Sequence, residues 1–240
     1  GPGETASGVL AQLRLANVRL ELANGAAALT AALDGRLGAD RIRLPAASGL
    51  ELQRAAWAGR GEVKLSSAPS VRWRGALTAR TILPAPSARR FAGALPLTDA
   101  GKAALARALQ GAEARAADLE LRAGPGPLTL IAAAPVRLTA PGLTATLTPR
   151  RGASLFDAGA GGGAFDLEVR GPAAPQLTAQ VSRYSLRPGG VEADTRFETA
   201  LDTPLARGAS LAAAGRLSLG TAGVRFAASD CAKVGAAVVG

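Results

Sequence analysis

Leu13-Arg14-Leu15-Ala16-Asn17-Val18-Arg19-Leu20-Glu21-Leu22 sets apolar side chains against charged or polar ones in strict alternation. A period of two is that of a β-strand, whose successive side chains point to opposite faces. The apolar set changes parity between Leu15 and Val18, and a one-residue slip would turn every later side chain to the other face. A bulge or tight turn at Ala16-Asn17 would restore a common inner face. The stretch therefore predicts β-structure with one apolar and one solvated side.

The same pattern recurs at short intervals. It appears in Leu37 to Leu44 before Pro45, Leu50-Glu51-Leu52, Val63-Lys64-Leu65, Val71-Arg72-Trp73-Arg74 and Leu77 to Ile82. It returns in Leu119 to Arg122, Leu128-Thr129-Leu130, Val136-Arg137-Leu138, Leu143 to Leu147, Phe165 to Val169, Leu177 to Val181 and Tyr184-Ser185-Leu186. The last examples are Val191 to Leu201, Leu217-Ser218-Leu219 and Val224-Arg225-Phe226. Asn24-Gly25, Pro125-Gly126, Pro141-Gly142 and Pro188-Gly189-Gly190 supply turn chemistry between them. The expectation is a meander of antiparallel hairpins built from short strands of about five residues, roughly 17 Å each.

One stretch departs from this pattern. Over 98–118, Ala104, Leu105, Ala108 and Leu109 fall on one face at helical spacing, with Thr98 as N-cap and Asp99 in the first turn. Gly111 either ends this helix or interrupts it, and no other helix is expected. The cluster Gly159-Ala160-Gly161-Gly162-Gly163 lacks the Gly-Lys-Ser/Thr ending of a phosphate-binding loop and reads as a turn.

Histidine is absent, which removes the commonest general base, the Ser and Cys triads and the commonest metal ligand. Cys231 is alone and can form neither an internal disulfide nor a structural zinc site. The carboxylates, Glu21, Asp34, Asp118, Glu120, Asp166 and Glu168 among them, sit mostly at the polar positions of alternating strands, where a solvated face accounts for them. No enzyme activity, cofactor or metal is expected. The formal net charge is +10, nearly all of it Arg, with Lys64, Lys102 and Lys233 the only lysines. That charge raises a nucleic acid or another anionic polymer as a partner, yet only Val71 to Arg74 and Arg89-Arg90-Phe91 combine basic and aromatic residues. A dispersed basic surface is the reading, with no nucleic acid expected. Trp73 and Phe91 read as core or rim residues. No apolar run approaches the ~18 residues that cross a bilayer. The absence of Met and the opening Gly1-Pro2 read as an excised piece, with 1–2 a tag scar.

A one-sided apolar sheet is satisfied by a second sheet, by closure into a barrel or by an apolar ligand. The lining would be Leu, Ala and Val with few aromatics, since aromatics make up 3% of the chain. Packed cores are the default fate of such faces, so period and composition alone favour a sandwich over an open groove.

The cadence Leu29-Thr-Ala-Ala-Leu-Asp-Gly-Arg-Leu37 brings in a resemblance. With it go the phrase Leu211-Ala-Ala-Ala-Gly-Arg-Leu-Ser-Leu-Gly-Thr-Ala-Gly-Val-Arg-Phe226, running into Ser229-Asp-Cys-Ala-Lys-Val234, and the Ala/Leu helix within the meander. Together they resemble the AsmA-like group of Gram-negative envelope proteins, within it the YdbH family, with TamB more distant. The resemblance spans most of the chain as a style of repeat and rests on no diagnostic motif. It implies an all-β, mainly antiparallel fold: a long, bent, open sheet with a concave apolar groove and one short inserted helix. It implies two sections of one continuous sheet, 3–97 and 119–240, around the insert at 98–118. It also implies a section of a bridge-like conduit that carries phospholipid passively between inner and outer membranes. That section would lie in the periplasm as part of an inner-membrane-anchored envelope protein, with membrane contacts and envelope protein partners made by parts outside this chain. The candidate groove-lining residues are Leu13, Leu15, Val18, Leu20, Leu22, Leu128, Leu130, Val136, Leu138, Val181, Phe197, Leu217, Leu219, Val224 and Phe226. The competing expectations are a non-catalytic β-sandwich with a structural or partner-binding role, and a basic binder of nucleic acid or anionic polymer.

Overall fold

The computed structural model describes residues 5–23, 26–44, 49–93, 99–150, 156–157, 162–172, 176–187, 190–203, 206–220 and 223–235. Gly1-Pro2, Asn24-Gly25, Pro45, Thr98, Gly159 to Gly161 and Pro188-Gly189 lie outside them. The first section runs β1 (Thr5–Ser7), β2 (Leu10–Ala23), β3 (Ala26–Leu44), β4 (Leu50–Leu65) and β5 (Ser70–Ile82). Two helices follow, α1 (Ala85–Gly93) and α2 (Asp99–Leu109). Then come β6 (Ala112–Ala123), β7 (Thr129–Ala132), β8 (Val136–Ala140), β9 (Leu143–Pro149), β10 (Phe156–Asp157) and β11 (Phe165–Arg170). The chain continues through β12 (Leu177–Arg187), β13 (Gly190–Thr203), β14 (Ala206–Gly220), β15 (Gly223–Ala228) and β16 (Lys233–Val234).

All of these strands belong to one antiparallel sheet, in the order β1-β3-β4-β5-β6-β8-β9-β11-β12-β13-β14-β15. β1 and β2 lie in line along one edge of β3, and β15 and β16 along the far edge of β14. Among the described residues the two ends do not pair, so the sheet is open. At about 4.8 Å per strand it extends about 50 Å in the hydrogen-bonding direction.

The strands of the first section are far longer than five residues: β2, β3, β4 and β5 have 14, 19, 16 and 13. The expectation of short strands fails because the breaks in alternation are bulges inside continuous strands. At the Ala16-Asn17 break, Asn17 and Val18 together oppose Ala31, and Asn17 takes φ 52°. Arg54 and Ala55 together oppose Ala79, with Arg54 at φ 49°. Ala117 and Asp118 oppose Ala76, and Ser182 is an extra residue between Val181 and Arg183. Each bulge adds one residue and returns the apolar set to the same side.

The helical insert is also corrected. α2 ends at Leu109, and Ala112 to Asp118 belong to β6, because β5 and β8 pair with that segment from both sides. Ladder pairing on two edges outweighs the helix propensity of its alanines. A second helix, α1, was not expected. Ala88 and Ala92 of α1 are buried against Leu105 and Ala106 of α2, with Leu83, Phe91, Leu109 and Leu143 packed around them. Ala108 carries the contact on to Ala112 and Ala140 of the sheet.

Candidate apolar binding face

Following register partners from strand to strand gives one row on one face. Ala11, Leu37, Trp57, Leu77, Ala116, Val136, Leu147, Leu167, Ala179, Phe197 and Ala213 are successive partners across eleven strand positions. Every residue in that row is apolar. The neighbouring row on the same face, Leu15, Leu33, Gly61, Trp73, Leu121 and Leu130, is equally free of charge.

A row of glycines crosses this face. Gly35, Gly59 and Gly75 are partners in one row of it, flanked by Gly61. A Cβ at Gly59 would lie 2.2 Å from the Arg74 carbonyl oxygen, one at Gly61 1.9 Å from that of Arg72, and one at Gly75 2.0 Å from that of Ala58. Side chains on the inside of a sharp bend meet the next strand, and glycine removes them. Trp57 and Trp73 sit in the rows on either side of this crease. At the other end α1 lies against β15, so the C-terminal edge curls toward the helices packed over Leu143.

The candidate residues mostly gather on this face. Leu13, Leu15, Leu20 and Leu22 lie there on β2 and are 47%, 61%, 64% and 76% exposed. Val18 falls in the bulge without a register partner and is also exposed. Leu130, Val136 and Leu138 are half-buried, the first two packed around Ala116, Leu119 and Ala132. Val181 is buried, and the Phe197 ring meets Phe226 edge to face at 5.2 Å. Leu217 pairs with Phe226, and Leu219 with Val224 in the same register. Leu128 is the exception: it precedes β7, belongs to no strand and is exposed.

Sequence reasoning left out the centre of the face. Trp73 and Leu119, each 2% exposed, are among its most buried residues, with Trp57, Leu77, Leu121, Leu147 and Leu167 beside them. The alternation at Val71 to Arg74 carried the signal for Trp73. The indole N–H groups of Trp57 and Trp73 are buried with no hydrogen-bond acceptor among the described residues. An unsatisfied buried donor costs about 1–3 kcal/mol.

The opposite face is polar and laced with ion pairs. Arg72 donates to both carboxylate oxygens of Glu120, at 2.7 and 3.1 Å, and Arg122 reaches the same carboxylate. Arg74 grips Asp118 with Nε and Nη2, Arg216 meets Asp194 at 3.0 Å, and Arg43 meets Glu51 at 2.9 Å. Burial works to raise the Glu120 pKa, but the hydrogen bonds from Arg72 and Arg122 outweigh it and hold the carboxyl below its ordinary value. The Arg74 hydrogen bond does the same for Asp118, and the Arg43 hydrogen bond for Glu51.

Two shallow depressions lie on this side. One, of about 510 Å³, is lined mainly by Thr146, Thr148, Asp166, Glu168, Gln180, Arg196 and Glu198. The other, of about 440 Å³, is lined by Ser7, Asp40, Arg41, Gln53, Arg54 and Arg80. Among the described residues no cluster of three metal-ligating side chains occurs, and no helix is long and apolar enough to cross a membrane. No family model, curated protein or solved structure matches the chain.

Proposed function

We propose that this chain is a section of a lipid conduit, in which phospholipid acyl chains lie on the apolar face while head groups stay at the wetted rim. The observation that carries the reading is the unbroken apolar row from Ala11 to Ala213 on a face that no second sheet covers among the described residues. A packed sandwich would need such a sheet. Acyl chains would be held by burial of methylenes, worth ~0.8 kcal/mol each, without a fixed position along the row. Near-uniform binding permits sliding, so transport is passive and needs no catalytic residue. The resemblance to the AsmA-like and YdbH proteins supports the same reading. It extends it to a periplasmic location, an inner-membrane anchor and transfer between inner and outer membranes through parts outside this chain.

The two tryptophans flank the crease and serve as built-in reporters. Phospholipid brominated on its acyl chains is expected to quench their fluorescence, whereas a water-soluble brominated headgroup analogue leaves it unchanged. Phospholipid is also expected in native mass spectra of the gently purified chain. Absence of both quenching and co-purified lipid defeats the proposal.

A partner-binding β-domain is the second reading, favoured by the exposed apolar residues along the edge of β2 that no other described strand pairs. Under it, edge substitutions would abolish capture of a protein partner and leave lipid binding at zero throughout.

A further inference from the structure

We infer that the polar-face depression at the β4 bulge is a binding site for a dianionic phosphoryl group. Arg41, Gln53 and Arg80 are successive register partners on β3, β4 and β5, and the extra residue Arg54 adds a third guanidinium beside them. Three cations and one carboxylate, Asp40, line a depression of about 440 Å³ with Ser7 and Gln53 as further hydrogen-bonding groups.

Elsewhere on this face some arginines are matched to carboxylates, as in Arg72–Glu120, Arg74–Asp118 and Arg216–Asp194, while others such as Arg60 and Arg137 stand singly; only here do three arginines line one depression among the described residues. Here Arg41 has one contact, 3.6 Å to a Glu51 already held by Arg43. Arg54 and Arg80 have neither ion pair nor hydrogen bond among the described residues. The excess of two positive charges matches a phosphoryl dianion, whose tetrahedral oxygens take guanidinium forks from several directions.

The backbone supports this placement. Arg54 is held at φ 49°, in the left-handed region that disfavours side chains with a Cβ and that Gly, Asn and Asp tolerate better than Arg. Strained backbone of this kind gathers at functional sites, and here it carries one of the three guanidinium groups. Gly111 leaves room for Arg80, since a Cβ there would come within 3.1 Å of its Nη2. The site lies on the face opposite the acyl-chain floor and does not depend on that reading.

Arg54→Gly separates binding from folding, because it removes the cation and relieves the left-handed strain together. The whole chain is titrated at low salt with inorganic phosphate. In parallel, flotation is measured with phosphatidylcholine vesicles with and without phosphatidic acid. Saturable phosphate binding is expected, weakened at least tenfold by Arg54→Gly and by Arg80→Gln and unchanged by Arg196→Gln, with the Arg54→Gly melting temperature equal to or above that of the parent. Flotation that requires phosphatidic acid and is lost in Arg54→Gly would name a lipid headgroup as the source. Its absence beside saturable phosphate binding would name a free phosphate. The inference is overturned if phosphate fails to saturate, if Arg54→Gly binds as the parent does, or if the only anion bound is DNA with a salt slope indifferent to both substitutions.

Discussion

Leu22 at the β2 edge and Leu119 in β6 occupy the same face of the same sheet, yet one is 76% exposed and the other 2%. The sequence pattern around both is the same alternation of apolar and charged residues. What differs is company: β6 has β5 on one side and β7 and β8 on the other, whereas β2 has β3 alone. β6 also borders the strands that the glycine crease folds inward. In an open sheet, period decides which face a residue joins. Curvature and position in the strand order decide whether that face is dry there.

The largest effect should come from emptying the dry region. Trp73→Ala is expected to lower unfolding free energy by about 3–5 kcal/mol in a denaturant titration, against about 0.5 kcal/mol or less for Leu15→Ala at the edge. Equal losses at the two positions would remove the contrast. The next effect tests the crease: Gly59→Val places a branched side chain where a carbonyl oxygen stands. It should cost about 1–3 kcal/mol or more and increase chain dimensions in small-angle scattering. The same change at Gly126, where a Cβ meets nothing within 4 Å, should cost less.

The smallest effect is electrostatic. Glu51, Asp118 and Glu120 have folded pKa values below their ordinary ones. On acidification the unfolded chain therefore takes up protons first. Their contribution is complete above the unfolded glutamate value of 4.5 and is lost as the pH falls through the lower folded values. Stability should be level above about pH 5 and decline below it, less steeply in Glu120→Gln.

Face membership was readable from the chain because a period of two is a local property. The bulge at Asn17 was readable too, since the parity change from Leu15 to Val18 requires one. Strand length was not, because segments such as Ala55-Ala56-Trp57-Ala58-Gly59-Arg60-Gly61 put small residues on both faces and mask the alternation. The end of α2 was misjudged for a related reason. Ala112-Glu113-Ala114-Arg115-Ala116 alternates as a strand does, but its alanines favour a helix until neighbouring strands claim its backbone. α1 offers only Ala88, Phe91 and Ala92 as an apolar stripe, behind two prolines, and is too short to stand out. The centre of the candidate site depends on which distant strands become neighbours, and no local pattern contains that.

The bulges give the sheet something like a reading frame. Upstream of Asn17 the leucines of β2 that join the apolar face, Leu13 and Leu15, fall on odd numbers and downstream Leu20 and Leu22 fall on even ones, with a single extra residue as the joint between the two phases. Loss of one residue there would erase the joint. It would present Arg14 where Leu13 and Leu15 had been, much as a deleted nucleotide garbles every codon behind it. Compensation would have to come from an insertion within the same strand, so this protein can drift in the lengths of its turns far more freely than in the lengths of its strands.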